Sequence, residues 1–134
     1  MLKSDLLQLI ANGENSGVEF KRDDVRPEQV AKEIVALANF RGGSLLLGVE
    51  DDGSISGIQR QDLELWIMDT VFGRYVHPLI LPFYEEVAFD DVNRVAVVTV
   101  TEGTAKPYVV RHNGREEIYV RVGSTSRLAT REQQ

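Results

Sequence analysis

Residues 44–49, Ser-Leu-Leu-Leu-Gly-Val, form an unbroken, largely apolar run between a Gly42-Gly43 pair and an Asp51-Asp52-Gly53 turn. The run is too short for a helix and offers no charged face to water, so it reads as a central strand covered on both faces. A strand of that kind needs layers on either side of it, and the neighbouring sequence supplies helices. Pro27 suits the first turn of a helix, where its missing N–H costs nothing. Val30, Ile34, Leu37 and Ala38, with Ala31 and Val35 beside them, then give a 3.6-residue stripe that ends at Asn39 and Gly42-Gly43. Residues 4–12 form a shorter helix with Ser4 as N-cap, Leu6, Leu7 and Ile10 on one face, and Gly13 as its stop. Leu63, Trp66, Ile67 and Val71 mark a third helix over residues 62–72.

After His77-Pro78 and Pro82 the apolar period changes to two. Residues 84–89, 94–101, 108–111 and 118–122 read as strands, and Asn113-Gly114 is a strong hairpin turn because both residues tolerate positive φ. Val18-Glu19-Phe20-Lys21 alternates in the same way, with Val18 and Phe20 toward the core and Glu19 and Lys21 on the opposite face. The expected fold is a mixed α/β (α+β) domain spanning residues 1–134. It has a mixed sheet, about three helices and a β-rich C-terminal half ending in a hairpin.

The 134 residues contain no cysteine, which excludes a disulfide scaffold, a thiolate zinc site and a cysteine nucleophile. Apolar runs stay well short of the ~18 residues a membrane span needs, and the N-terminus lacks the pattern of a signal peptide. The expected setting is cytoplasmic, with no membrane partner. The net charge is −6, unevenly spread: residues 1–102 carry 9 Lys+Arg against 18 Asp+Glu, whereas residues 103–134 carry 6 against 3. A basic end on an acidic body is compatible with phosphate contacts, because those depend on the field within about one Debye length, ~8–10 Å.

Two constellations carry chemistry. Glu14 sits in a Gly-flanked loop, Glu19 on the first strand and Asp51 at the end of the second. If those strands are neighbours, three carboxylates meet at one sheet end, where Mg²⁺ or Mn²⁺ would neutralise them. Lys21, on the face of Glu19, would then stabilise charge on a phosphate; Glu-x-Lys on a strand suits metal-dependent phosphodiester hydrolysis. Glutamate and lysine are equally ordinary on the wet face of a strand. The second constellation runs from Arg121 through Gly-Ser-Thr-Ser, including Ser124, to Arg127. With Arg111 and Arg115 on the neighbouring hairpin it makes a basic ridge suited to an anion, or a charged edge that discourages aggregation. Gly43 to Gly48 has the glycines of a phosphate loop, but Val49-Glu50 stands where Lys-Ser/Thr is needed. Gly53-Ser-Ile-Ser-Gly57 centres on Ile55 and is no nucleophile elbow. His77 and His112 match no ligand spacing.

Three blocks then resemble a known family. Glu14-Asn-Ser-Gly-Val-Glu19-Phe-Lys21, Ala38-Asn39-Phe-Arg-Gly42-Gly43 continuing through Asp51-Asp-Gly53, and Lys106-Pro107-Tyr108 followed by Ile118-Tyr119-Val-Arg121-Val-Gly123-Ser124 are similar to the hallmarks of the Schlafen/AlbA-type domain. The resemblance implies an α/β DNA-binding domain, in many bacterial members the N-terminal part of a longer transcriptional regulator. In animal Schlafens the related domain resembles a metal-dependent endoribonuclease acting on structured RNA such as tRNA. Its acid triad carries over to Glu14, Glu19 and Asp51, with Asp52 equally close in sequence.

The expectation is therefore a nucleic-acid-binding domain, DNA or RNA, using Arg111, Arg115, Arg121, Ser124 and Arg127. The alternative is a Mg²⁺/Mn²⁺-dependent endoribonuclease, with a homodimer supplying two lobes, Glu14, Glu19 and Asp51 on the metal and Lys21 catalytic. No cofactor is indicated outside that alternative. A small-ligand or protein-interaction domain is the third class, favoured modestly by the acidic charge.

Overall fold

The computed structural model describes residues 1–129. The apolar run is β2 (Gly42–Leu47), one of the two inner strands of a four-stranded sheet. It pairs in parallel with β1 (Val18–Lys21), Val18 opposite Ser44 and Lys21 opposite Leu47. On its other side it runs antiparallel to β5 (Arg94–Thr101), which pairs with the edge strand β4 (Phe83–Ala88). The sheet order is β1-β2-β5-β4.

Each face of this sheet is covered, as the apolar run requires. Helix α1 (Lys3–Asn12) buries Leu6 against Val18, Phe20, Leu46, Val49, Val95 and Val97. Helix α2 (Pro27–Asn39) packs Val30, Ile34, Val35 and Leu37 on the opposite face, against Leu45, Leu47, Ala96 and Val98. Helix α1 begins one residue earlier than its sequence suggests. Its N-cap is Leu2, and the amide that needs capping is satisfied by Asp5 (Leu2 N–H to Oδ2, 3.0 Å) instead of by Ser4. The third helix starts as α3 (Leu63–Leu65) and continues as wide π-helical turns over Trp66–Tyr75, burying Ile67, Val71 and Phe72 beside α2.

Two smaller sheets complete the fold. The first has the order β3-β6-β7, from β3 (Val76–His77), β6 (Val109–His112) and β7 (Arg115–Glu117). Its β6–β7 turn is Asn113-Gly114, with φ of 52° and 74°. The second is a separate hairpin, β8 (Tyr119–Val122) and β9 (Thr125–Leu128), with β8 lying on α2. Strand β9 escapes sequence pattern because Thr125, Arg127 and Leu128 are all exposed, so no apolar alternation marks it.

Close approach explains the Gly42-Gly43 pair. At Gly42, with φ of 82°, a Cβ would lie 2.5 Å from the Val100 carbonyl oxygen. At Gly43 it would strike the carbonyl of Gly17, whose oxygen accepts the Ser44 N–H at 2.8 Å. The pair thus brings the loop before β1 against the start of β2. Among the described residues no helix is long and apolar enough to cross a membrane.

Candidate functional site

The loop before β1 and the β8–β9 hairpin meet around one buried cation. Arg121 has a side-chain exposure of 0%. Its Nη1 donates to Glu19 Oε1 at 2.8 Å and to Ser126 Oγ at 2.9 Å. Nη2 donates to the carbonyls of Asn15 (2.7 Å) and Val18 (3.1 Å), and Nε to that of Ser16 (3.3 Å). The planar fork of arginine suits this many fixed acceptors. Glu33 of α2 stands on the same side, its Oε1 3.9 Å from Nη1 and its Oε2 3.3 Å from Lys21 Nζ.

Glu19 therefore does not lie on a wet face. Its face of β1 looks toward α2, and the carboxyl is buried between Glu33 and Arg121. Burial first, then the adjacent Glu14 carboxyl and the charge of Glu33, push its pKa up to about 8 against the pull of Arg121. Glu14 accepts the Phe20 N–H at 3.1 Å, closing a backbone donor on the outer edge of β1.

Strands β1 and β2 are neighbours, and the Glu14 and Glu19 carboxyls adjoin, but Asp51 does not join them. Asp51 is exposed in the turn beyond β2, where it lines a cavity of about 210 Å³ with Lys21, Arg22 and Glu50. Asp52 is held in the same turn by Ser54, whose hydrogen bonds lower its pKa. Among the described residues no group of three or more Asp, Glu, His or Cys side chains is placed to hold a metal ion. A guanidinium already supplies the positive charge beside Glu19. The residues present do not fit a divalent-ion centre built on Glu14, Glu19 and Asp51.

The basic ridge divides in the same way. Arg121 faces inward. Arg111 is exposed but tied to Glu116 at 2.6 Å. Arg115, beside the β6–β7 turn, and Arg127, on β9, are exposed and have no carboxylate within ion-pair distance among the described residues. Ser124 is exposed in the β8–β9 turn.

Sequence reading missed the residue that mounts both hairpins. Asn39, taken as a helix stop, donates through Nδ2 to the Tyr108 and Tyr119 carbonyls, each at 2.9 Å, and accepts the Tyr108 N–H at 2.7 Å. It also missed Glu33. A signal for Glu33 existed: it falls three residues after Val30 and four before Leu37, inside the buried stripe of α2.

Residues 14–130 match the family model described as Schlafen, AlbA_2. The chain belongs to the Schlafen AlbA_2 family. The match spans the loop, the central sheet and both hairpins of this Schlafen AlbA_2 domain. No curated protein sequence matches it. Among solved structures it is similar to the solution NMR structure of the N-terminal domain of a RecG-related protein from Nitrosomonas europaea. The TM-score is 0.66 at 24% identity, over 95% of this chain and 92% of that one, a likeness of fold.

Proposed function

We propose that this Schlafen AlbA_2 domain binds nucleic acid, DNA in the first instance, through phosphate contacts from its two C-terminal hairpins, as the recognition part of a longer regulator. The pair Arg115 and Arg127 carries the reading: both are exposed, on successive hairpins, and without carboxylate partners among the described residues. Guanidinium forks bind phosphate bidentately, and a local basic surface outweighs a distant acidic body at physiological screening. Arg111 joins them when a phosphate displaces Glu116. Ser124 offers a hydroxyl and a backbone N–H at the β8–β9 turn. Arg121 serves the same surface indirectly, by anchoring β8 to the loop before β1.

Titration of a labelled duplex between 50 and 200 mM salt tests this. The log–log slope should be negative by roughly 0.9 per phosphate contact, and Arg115→Ala with Arg127→Ala should flatten it together. Salt-independent binding, or none at 50 mM, defeats the reading. Hydrolysis by Glu14, Glu19, Asp51 and Lys21 has less support, since Asp51 lies in an exposed turn and Arg121 occupies the flank of Glu19.

A further inference from the structure

The two edges of the four-stranded sheet are finished differently. Along β1 three outward backbone groups are taken: the Val18 N–H goes to the Asn15 carbonyl, the Phe20 N–H to Glu14, and the Val18 carbonyl to Arg121. Along β4 no backbone group of Phe83–Ala88 bonds to any element other than β5 among the described residues. The Phe89 N–H reaches Asn93 across the β4–β5 turn, so by alternation the amides of Tyr84, Glu86 and Ala88 point outward. Among the described residues, Arg94 of β5 reaches this edge at the Glu86 carbonyl (3.3 Å) and pairs with its carboxylate (Nε to Oε1, 3.3 Å), and the N-terminal ammonium pairs with Glu85.

An open cavity of about 650 Å³ adjoins that edge, lined by Ile58, Leu63, Leu65, Met68, Arg60 and Glu86. Its apolar wall includes Leu65, 60% exposed, and Phe83 at the start of β4 is 64% exposed. The charge around it is negative. Asp62 and Glu64 join Glu86, and residues 50–102 hold eleven Asp+Glu against three Arg. The Arg60 guanidinium is turned inward, donating to the Asp23 and Val25 carbonyls and stacking over Trp66 at 3.8 Å.

We propose that β4 is a docking edge for an extended segment of a partner protein in which lysine or arginine alternates with apolar residues. The partner's backbone extends the sheet, apolar side chains enter the cavity, and its cations meet Glu64 and compete with Arg94 for Glu86. A second copy of this chain is the poorer occupant, because β4 against β4 sets Glu85 and Glu86 facing their own kind.

The test uses a capped eight-residue peptide alternating lysine and valine, with a glutamate-for-lysine version as control. Fluorescence anisotropy should show binding of the lysine peptide alone. Glu86→Lys, and Glu64→Lys, which leaves β4 untouched, should each weaken it about tenfold, the scale of a lost close charge pair. Ala88→Pro, which removes one outward N–H, should weaken it as well. Hydrogen exchange at Tyr84, Glu86 and Ala88 should slow on binding. Equal binding of the glutamate peptide, no binding of the lysine peptide, or unprotected β4 amides in the complex overturns the proposal. So does a free chain that is dimeric with those amides already protected.

Discussion

Arg121 on β8 and Glu19 on β1 are joined at 2.8 Å across 102 residues of sequence. The contact draws together the first strand and the last described hairpin, which share no backbone ladder. Its guanidinium faces the carboxyl groups of Glu19 and Glu33, and its donors are taken up by Glu19, three carbonyls and Ser126.

Arg121→Met should destabilise the fold by about 3 kcal/mol, because it leaves the buried Glu19 and Glu33 and three backbone carbonyls without their donor. Adding Glu19→Gln should return part of that loss. Urea unfolding of the two single variants and the double variant measures both effects. Additive costs would show that the pair is not coupled.

Glu19 makes stability depend on pH. In the folded chain the carboxyl keeps its proton to about pH 8, against 4.5 as the ordinary value. The folded state therefore binds more protons than the unfolded one between those values. Stability should fall as pH rises from about 5 to 8, by at most about 1.4 kcal/mol per pH unit for one proton. Glu19→Gln should flatten the profile, read from unfolding midpoints at pH 5.5, 6.5, 7.5 and 8.5.

Asn39→Ala removes three hydrogen bonds to backbone atoms of Tyr108 and Tyr119. A loss of about 2–3 kcal/mol is expected, since part-buried donors and acceptors are left unmet. Asn39→Asp keeps the acceptor for the Tyr108 N–H but no longer donates, so it should fall between the two in a thermal melt.

Gly43→Ala should cost about 2–3 kcal/mol through overpacking, because the new methyl meets the Gly17 carbonyl, which cannot step aside, as well as Leu37 Cδ2. The damage should be local. Amide exchange should quicken at Ser44, whose N–H bonds to Gly17, before it quickens in the core of α2.

Features set by neighbours along the chain were legible in the sequence. The apolar run of β2, the stripe of α2, the limits of β5 and the Asn113-Gly114 turn follow from local pattern and backbone preference. The side-by-side placing of β1 and β2 stood in the sequence only as a condition, which the parallel ladder meets. Illegible features were those decided by distant partners. Alternation in Val18–Lys21 told which residues share a face, but not that α2 and β8 cover the face of Glu19. Arg121 looked like an anion contact because an arginine after a strand has the same appearance whether it points out or in. The third helix showed its apolar side, while the widening to π-helical turns leaves no mark in a 3.6-residue count.

Asn39 grips the two hairpins through peptide atoms alone, at Tyr108 and Tyr119. Such a mount is indifferent to what the hairpin side chains are. Substitutions at positions such as 115, 124 and 127 can then accumulate over evolutionary time with the platform beneath them unchanged, so that one scaffold carries interchangeable tips.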